Sequence, residues 1–293
     1  GSRSHSAEVV VAGAGWSGLA AAVELVRRGR SVALLEAGPR VGGRARSIRL
    51  GDLQLDNGQH LLLGAYRETL EMIRSVGVDP DAVLERHPLD LCLTGPAGEC
   101  RLRLSRPSSL PALALGLAQS RGLRLIDRIR AVATAGRLRN PPSPDTDTSS
   151  WLQRCGQPQA LRERLWRPLC LATLNVAPER ASAAVFARVL REAFGGAGCA
   201  DLLIPRVNLG DVFPEPAAEW LAARGATIAR STAVRRLTPT GDGWDIDTRA
   251  GVWRARDVVL AADPTASARL LPDDPCCAGL RERLGALGAE PIT

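Results

Sequence analysis

Six residues, Gly13-Ala14-Gly15-Trp16-Ser17-Gly18, constrain the fold of this chain more than any other stretch. Before them, residues 7–12 place Val9, Val10 and Val11 in a row, the pattern of a short strand buried on both faces. After them an apolar helix is expected over residues 19–28. Arg27 and Arg28 suit its negative end, and Gly29 suits the C′ position. Residues 31–35 read as a second strand, closed by Glu36. Strand, glycine turn, helix, strand and acid, in that order, form the dinucleotide-binding fingerprint in the context it needs.

Each glycine has a separate reason to be there. Gly13 permits the tight turn, Gly15 lets backbone N–H groups approach a pyrophosphate, and Gly18 lets the helix pack close to the strand. The helix N-terminus then offers unpaired amides and positive dipole to the phosphates, so Gly13 to Gly18, with Ala14, Trp16 and Ser17, are the candidate phosphate-binding residues. Glu36, followed by Ala37, would accept the ribose hydroxyls. A carboxylate there repels a 2′-phosphate and argues against NADP.

Between NAD and FAD, the continuation decides. Gly38, Pro39, Gly42 and Gly43 forbid the helix that a nicotinamide dehydrogenase usually starts after its acid. Gly42 and Gly43 allow close backbone approach, and Arg44 would neutralise a phosphate. An edge strand is expected over residues 53–55, leading into Asp56-Asn57-Gly58-Gln59-His60. With these segments the sequence resembles the superfamily of FAD-dependent amine oxidases and carotenoid desaturases. That resemblance implies a Gly-Gly-Arg phosphate clamp at Gly42-Gly43-Arg44 and a turn close to the flavin ring at Asn57, Gly58 and Gln59. It also implies an adenine contact from the backbone at Val234. The implied fold class is α/β: a Rossmann-like FAD-binding domain with an inserted α+β substrate domain.

Composition narrows the alternatives. The chain has 293 residues and a net charge of +7, and its sequence contains no lysine, so every basic residue is arginine. Aromatics are only 3%, which disfavours a nucleic-acid partner. No uncharged apolar run reaches the roughly 18 residues of a membrane-spanning helix. The seven cysteines form no CxxC pair and the three histidines have no ligand-like spacing, so reduced thiols, a cytoplasmic setting and no metal are expected. Cys92 and Cys100 fall on short alternating strands around residues 89–104 and are expected to be packed.

An amphipathic helix is expected over residues 66–76. Residues 110–117 and 122–139 read as a helical pair in which Ile126, Ile129 and Val132 share a face, with Arg124, Arg128 and Arg130 around them. Two readings stand: a basic amphipathic surface in peripheral contact with a membrane, or an ordinary hairpin over a core with a solvated arginine face. Residues 140–150 have linker composition, with Ser149 or Ser150 as cap of a helix from Trp151. Helices are expected over 161–174, kinked at Pro168, and over 181–194, with Trp166, Leu169, Phe186 and Phe194 in a core. A β-meander over residues 226–254 and a buried strand over 257–262 complete the pattern.

Residues 1–6 read as an expression remnant. The FAD-binding domain is expected over 7–85 and 205–270, and the substrate domain over 86–204 and 271–293.

Four stretches together resemble one branch of the superfamily, the hydroxysqualene dehydroxylase family of bacterial hopanoid synthesis. They are GAGWSGLAAA from Gly13, DNGQHLLLGAYRETL from Asp56, LWRPLCLATLNVAPERASAAVFARVLREAF from Leu165 and DLLIPRVNLGDVFPEPAAEWL from Asp201. The resemblance implies FAD as cofactor, an apolar C30 isoprenoid substrate and reductive removal of its allylic hydroxyl. His60 is the implied proton donor, with backbone hydrogen bonding beside the ring as its structural alternative. Members of that family continue well past residue 293, so the chain is expected to be truncated at its C-terminus. A desaturase or amine oxidase on the same scaffold, or a flavin-binding protein without catalysis, are the other readings. Nothing in the sequence sets the oligomeric state.

Overall fold

The computed structural model describes residues 4–56, 60–95, 98–105, 110–139, 142 and 146–287. Two compact units divide the chain. The first takes residues 1–60, 68–85 and 205–289, and the second takes 61–67, 86–204 and 290–293. Residues 271–287 thus pack with the first unit, where the sequence suggested the second. Their helix, Pro275–Gly285, folds back on the preceding helix Pro264–Leu270.

The first unit is built on a six-stranded sheet ordered Thr227–Ala229, Val32–Leu35, Ser4–Ala12, Gly251–Leu260, Gly243–Thr248, Val234–Thr240. The first four strands run parallel, Gly243–Thr248 is antiparallel to Gly251–Leu260, and Val234–Thr240 is antiparallel to Gly243–Thr248. Ser4–Ala12 is central because its triple valine is buried on both faces, Val10 and Val11 at 0% exposure. Residues 4–6 belong to this strand, opposite Val252, Trp253 and Arg254, and so are part of the fold.

The helix Trp16–Arg27 begins directly on the glycine turn, three residues earlier than the sequence suggested. It ends as expected in a glycine cap. Gly29 takes φ +78° and donates to the Val26 carbonyl, while Arg30 donates to Leu25, the paired bonds of a Schellman motif. Arg30 then bridges the two middle strands, its Nε 2.6 Å from Glu8 and its Nη2 2.7 Å from Asp257.

The expected separate strands over 252–254 and 257–262 are one strand, Gly251–Leu260. Its second half is only half-buried, because the antiparallel neighbour Gly243–Thr248 pairs no further than Ala255.

The second unit is mostly helical over one apolar core that includes Trp166 and Phe186 at 0% exposure, ring centroids 6.5 Å apart in an edge-on pair. Phe194 is buried and Leu169 packs against the same core. Trp166 Nε1 donates to Gln157 Oε1, and Gln157 Nε2 donates to Thr134, so the buried indole has its partner.

Three local expectations are corrected. The helix Thr148–Arg154 is capped by Asp147, whose carboxylate accepts the Ser150 amide at 2.8 Å; an acceptor in extended backbone one residue ahead of the helix is better placed than either serine. The distortion expected at Pro168 lies before it, as a π-helical turn over Arg162–Trp166. Proline lacks an N–H and crowds the carbonyl four residues back, so the ladder widens in the preceding turn. Cys100 is buried, but Cys92, on the other face of the hairpin Asp90–Gly95 and Gly98–Arg103, is exposed. Burial pushes the Cys100 thiol up; partial desolvation, followed by the hydrogen bond to the Glu99 carboxylate, does the same for the exposed Cys92.

Candidate nucleotide-binding site

The glycine turn lies where three parallel strands end together. The Gly13 amide donates to the Leu35 carbonyl at 2.8 Å. Its φ is +107°, and a Cβ there would meet the Ala261 carbonyl oxygen at 2.8 Å. A Cβ on Gly18 would collide with the Gly13 carbonyl oxygen. Both are glycine because backbone occupies the space. Gly15 differs: among the described residues a Cβ there would meet only the Gly43 Cα, at 3.9 Å, so these residues leave the space above it open.

Gly15 caps the helix Trp16–Arg27, which has no side-chain cap and no acid in its first turn. The amides of its first turn therefore meet no side chain of the helix itself, an arrangement receptive to an anion. Ala14 and Gly18 are buried, while Ser17 is exposed at the helix start.

Glu36 closes the second strand and faces the turn. Its Oε2 accepts the Ala14 amide at 2.7 Å and its Oε1 accepts the Gly38 amide at 2.7 Å. An ionised carboxylate has about four acceptor positions, so two bonds leave capacity for two hydroxyls. The Glu36 backbone is fixed as well: its amide donates to Ala229 at 2.9 Å, and its carbonyl accepts Thr232 at 2.7 Å. Ser231, with φ +53°, donates to the Gly38 carbonyl at 2.8 Å. Residues 229–232 therefore splint the acid, and Val234 follows two residues on, packed against the cluster that holds Val10, Ala33 and Leu35. Ala37 is exposed on the rim.

The loop after Glu36 returns to the turn. Gly42 donates to the Ala14 carbonyl at 2.7 Å and forms a parallel bridge with Gly15. Gly42 and Gly43 take φ of +105° and +60°, and a Cβ on Gly43 would lie 3.0 Å from the Gly15 Cα. Two backbones thus meet here with no side chain between them. Arg44 comes next and is exposed. Trp16 braces the loop: its Nε1 donates to the Ala45 carbonyl at 3.3 Å and its ring lies 5.1 Å from Phe213.

The other expected residues form a second group. Asp56 Oδ1 accepts the Ser47 hydroxyl at 2.9 Å and the Leu209 amide at 3.0 Å, tying the hairpin Ser47–Leu50 and Leu53–Asp56 to the helix Leu209–Val212. Asn57, Gly58 and Gln59 lie outside the described residues. His60 is exposed.

The structure thus brings residues 13–18 together with Glu36, Gly43 and the 229–234 segment. Sequence reasoning missed Ser231, Thr232, Ala45 and Phe213, which act through backbone groups or packing.

A parallel sheet with an open helix N-terminus over a glycine turn, and a carboxylate ending the second strand, defines a dinucleotide-binding oxidoreductase fold. The sequence profile of the flavin containing amine oxidoreductase family matches residues 16–293. The chain belongs to that family, and FAD is its cofactor.

Over 283 residues the chain is 37% identical to a hydroxysqualene dehydroxylase of Rhodopseudomonas palustris, covering 91% of this chain and 64% of that protein. It is 25% identical over 290 residues to a probable zeta-carotene desaturase of Synechococcus elongatus, covering 90% of this chain and 60% of that one. Among solved structures, an oxidoreductase from Methanosarcina mazei superposes with TM-score 0.70 at 18% identity, over 95% of this chain and 65% of that one. The chain spans somewhat less than two thirds of these relatives.

Proposed function

We propose that this chain acts as an FAD-dependent oxidoreductase that reductively removes the allylic hydroxyl of hydroxysqualene to give squalene. The observation that carries this reading is the 37% identity to a hydroxysqualene dehydroxylase, against 25% to a desaturase, each over about nine tenths of the chain.

The residues present fit the cofactor. The open space over Gly15 and the uncapped helix end suit a pyrophosphate, whose charge the amides of Gly15, Trp16 and Ser17 would meet and Arg44 would help to neutralise. Glu36, held on the Ala14 and Gly38 amides, would accept the ribose hydroxyls. Backbone groups at Val234 would face the adenine, and Asn57, Gly58 and Gln59 the flavin edge. When bound, FAD in its reduced form supplies the hydride equivalent.

The protein's own share is orientation and proton supply. The hydroxyl leaves as water only if a donor delivers a proton, and His60, just past the Asp56 turn, is the candidate. The electron-poor carbon left behind requires apolar, water-poor surroundings. In domain terms, the first unit is the FAD-binding domain and the second the substrate domain.

The test is product analysis. The chain is incubated anaerobically with FAD, dithionite and hydroxysqualene, and in parallel with FAD and phytoene. Squalene from the first mixture supports the proposal. A desaturated product from the second alone would assign the chain to the desaturases.

A further inference from the structure

The helix Leu125–Ala135 in the second unit is turned inside out for a helix in water. Its carboxylate is buried: Asp127 is 5% exposed, with the Arg124 Nε at 3.1 Å. Its large apolar side chains point outward: Leu125 is 65% exposed, Ile126 47% and Ile129 56%, with Ala133 exposed on the same face. A surface helix normally does the reverse.

The apolar requirement of the core is already met from the other side of the hairpin, by Leu113, Leu117, Leu123 and Ala131. The outward residues are therefore a second apolar face. The partner helix Leu110–Gln119 also carries exposed apolar side chains, Leu115 at 48% and Ala118. Arg128 links the two helices through its bond to the Ala118 carbonyl at 3.3 Å. Single exposed apolar residues are ordinary, but a contiguous apolar face marks a contact surface.

Charge identifies the occupant. Residues 104–144 hold seven arginines and one carboxylate, the buried Asp127, so this stretch carries six of the chain's seven net positive charges. Arg121, Arg124 and Arg130, on the helix Leu125–Ala135 and the turn before it, are exposed. Two such faces would repel each other in a symmetric pair, which disfavours a second copy. An apolar layer bordered by negative groups fits both features. Helices of this kind lie in the bilayer interface, with apolar side chains below the headgroups and arginines among them.

We propose that the outward face of the 110–135 hairpin docks on an anionic lipid surface. Docking follows from the hairpin alone. That the surface also delivers the substrate rests on the isoprenoid reading above, because a C30 alcohol dissolves in lipid and not in water.

The test is flotation of the whole chain with vesicles of phosphatidylglycerol and phosphatidylcholine in equal parts, beside vesicles of phosphatidylcholine alone. The anionic vesicles should carry the chain, and salt should release it. Ile126→Asp with Ile129→Asp should lower partitioning by about tenfold or more. Arg121→Gln with Arg130→Gln should weaken it and flatten its salt dependence. All four positions are exposed, so melting temperature and flavin binding should stay as in the native chain. Absence of native binding to anionic vesicles would overturn the proposal, as would binding unchanged by the aspartates. So would a native dimer that the aspartates split, since the face would then join two copies. Vesicle binding without any flavin binding would refute the flavin reading and leave this one standing.

Discussion

The Glu36 carboxylate is bonded to the Ala14 amide at 2.7 Å, so the acid that ends the second strand is fixed to the middle of the glycine turn. One side chain therefore sets the shape of the turn and keeps acceptor capacity for a ribose. Glu36→Gln removes the charge and keeps the size. Its amide group has only one acceptor oxygen, so the Ala14 and Gly38 bonds cannot both survive in their present form. Loss of a charged acceptor costs about 1.5–3 kcal/mol. The expected outcome is weaker FAD binding by at least ~10-fold and a lowered melting temperature, read by fluorescence titration and thermal unfolding.

Gly15 and Gly18 give opposite outcomes for the same substitution. Gly18→Ala drives a Cβ into the Gly13 carbonyl and costs stability, about 1–3 kcal/mol by the scale of overpacking. Among the described residues Gly15→Ala meets only the Gly43 Cα, at 3.9 Å, and should fold as the native chain does. Its methyl group would stand where a phosphate must approach, so it should lose FAD affinity alone. Chemical denaturation and flavin titration of both variants separate the two effects.

Asp56→Ala should loosen the hairpin over residues 47–56. It leaves the Ser47 hydroxyl and the Leu209 amide without their acceptor, a loss of about 1–3 kcal/mol. Asp56→Asn keeps one acceptor oxygen and should recover part of it. Urea unfolding of the two variants measures the difference.

Acid should weaken the first unit through Glu8 and Asp257. A side-chain hydrogen bond from Arg30 holds each of them below the ordinary carboxylate range. A carboxyl depressed in the folded state stabilises it above the unfolded pKa of about 4, and that contribution disappears as pH falls through the lower folded value. The melting temperature should therefore fall as pH drops below about 5. Arg30→Met should shrink the fall, with little change near neutral pH beyond loss of two exposed ion pairs.

What could be read from the sequence was whatever the backbone enforces. Gly13, Gly18, Gly29 and the glycines at 42 and 43 have no substitute at their φ or spacing, so their roles follow from their identity. The triple valine and the closing Glu36 fix two parallel strands for the same reason. The splint at Ser231 and Thr232 was not legible, because it uses amides that any residue carries. The cap at Asp147 was missed because serine and aspartate compete as acceptors, and only backbone geometry chooses between them. The inverted helix was half legible. Spacing placed Ile126 and Ile129 on one face, but the burial of Asp127 decides which way that face points.

The most direct test of the whole account is a titration of FAD fluorescence with the purified chain. Quenching should saturate at one FAD per chain, and Gly15→Ala should abolish it while the fold persists. FAD fluorescence unchanged by the native, folded chain would contradict it.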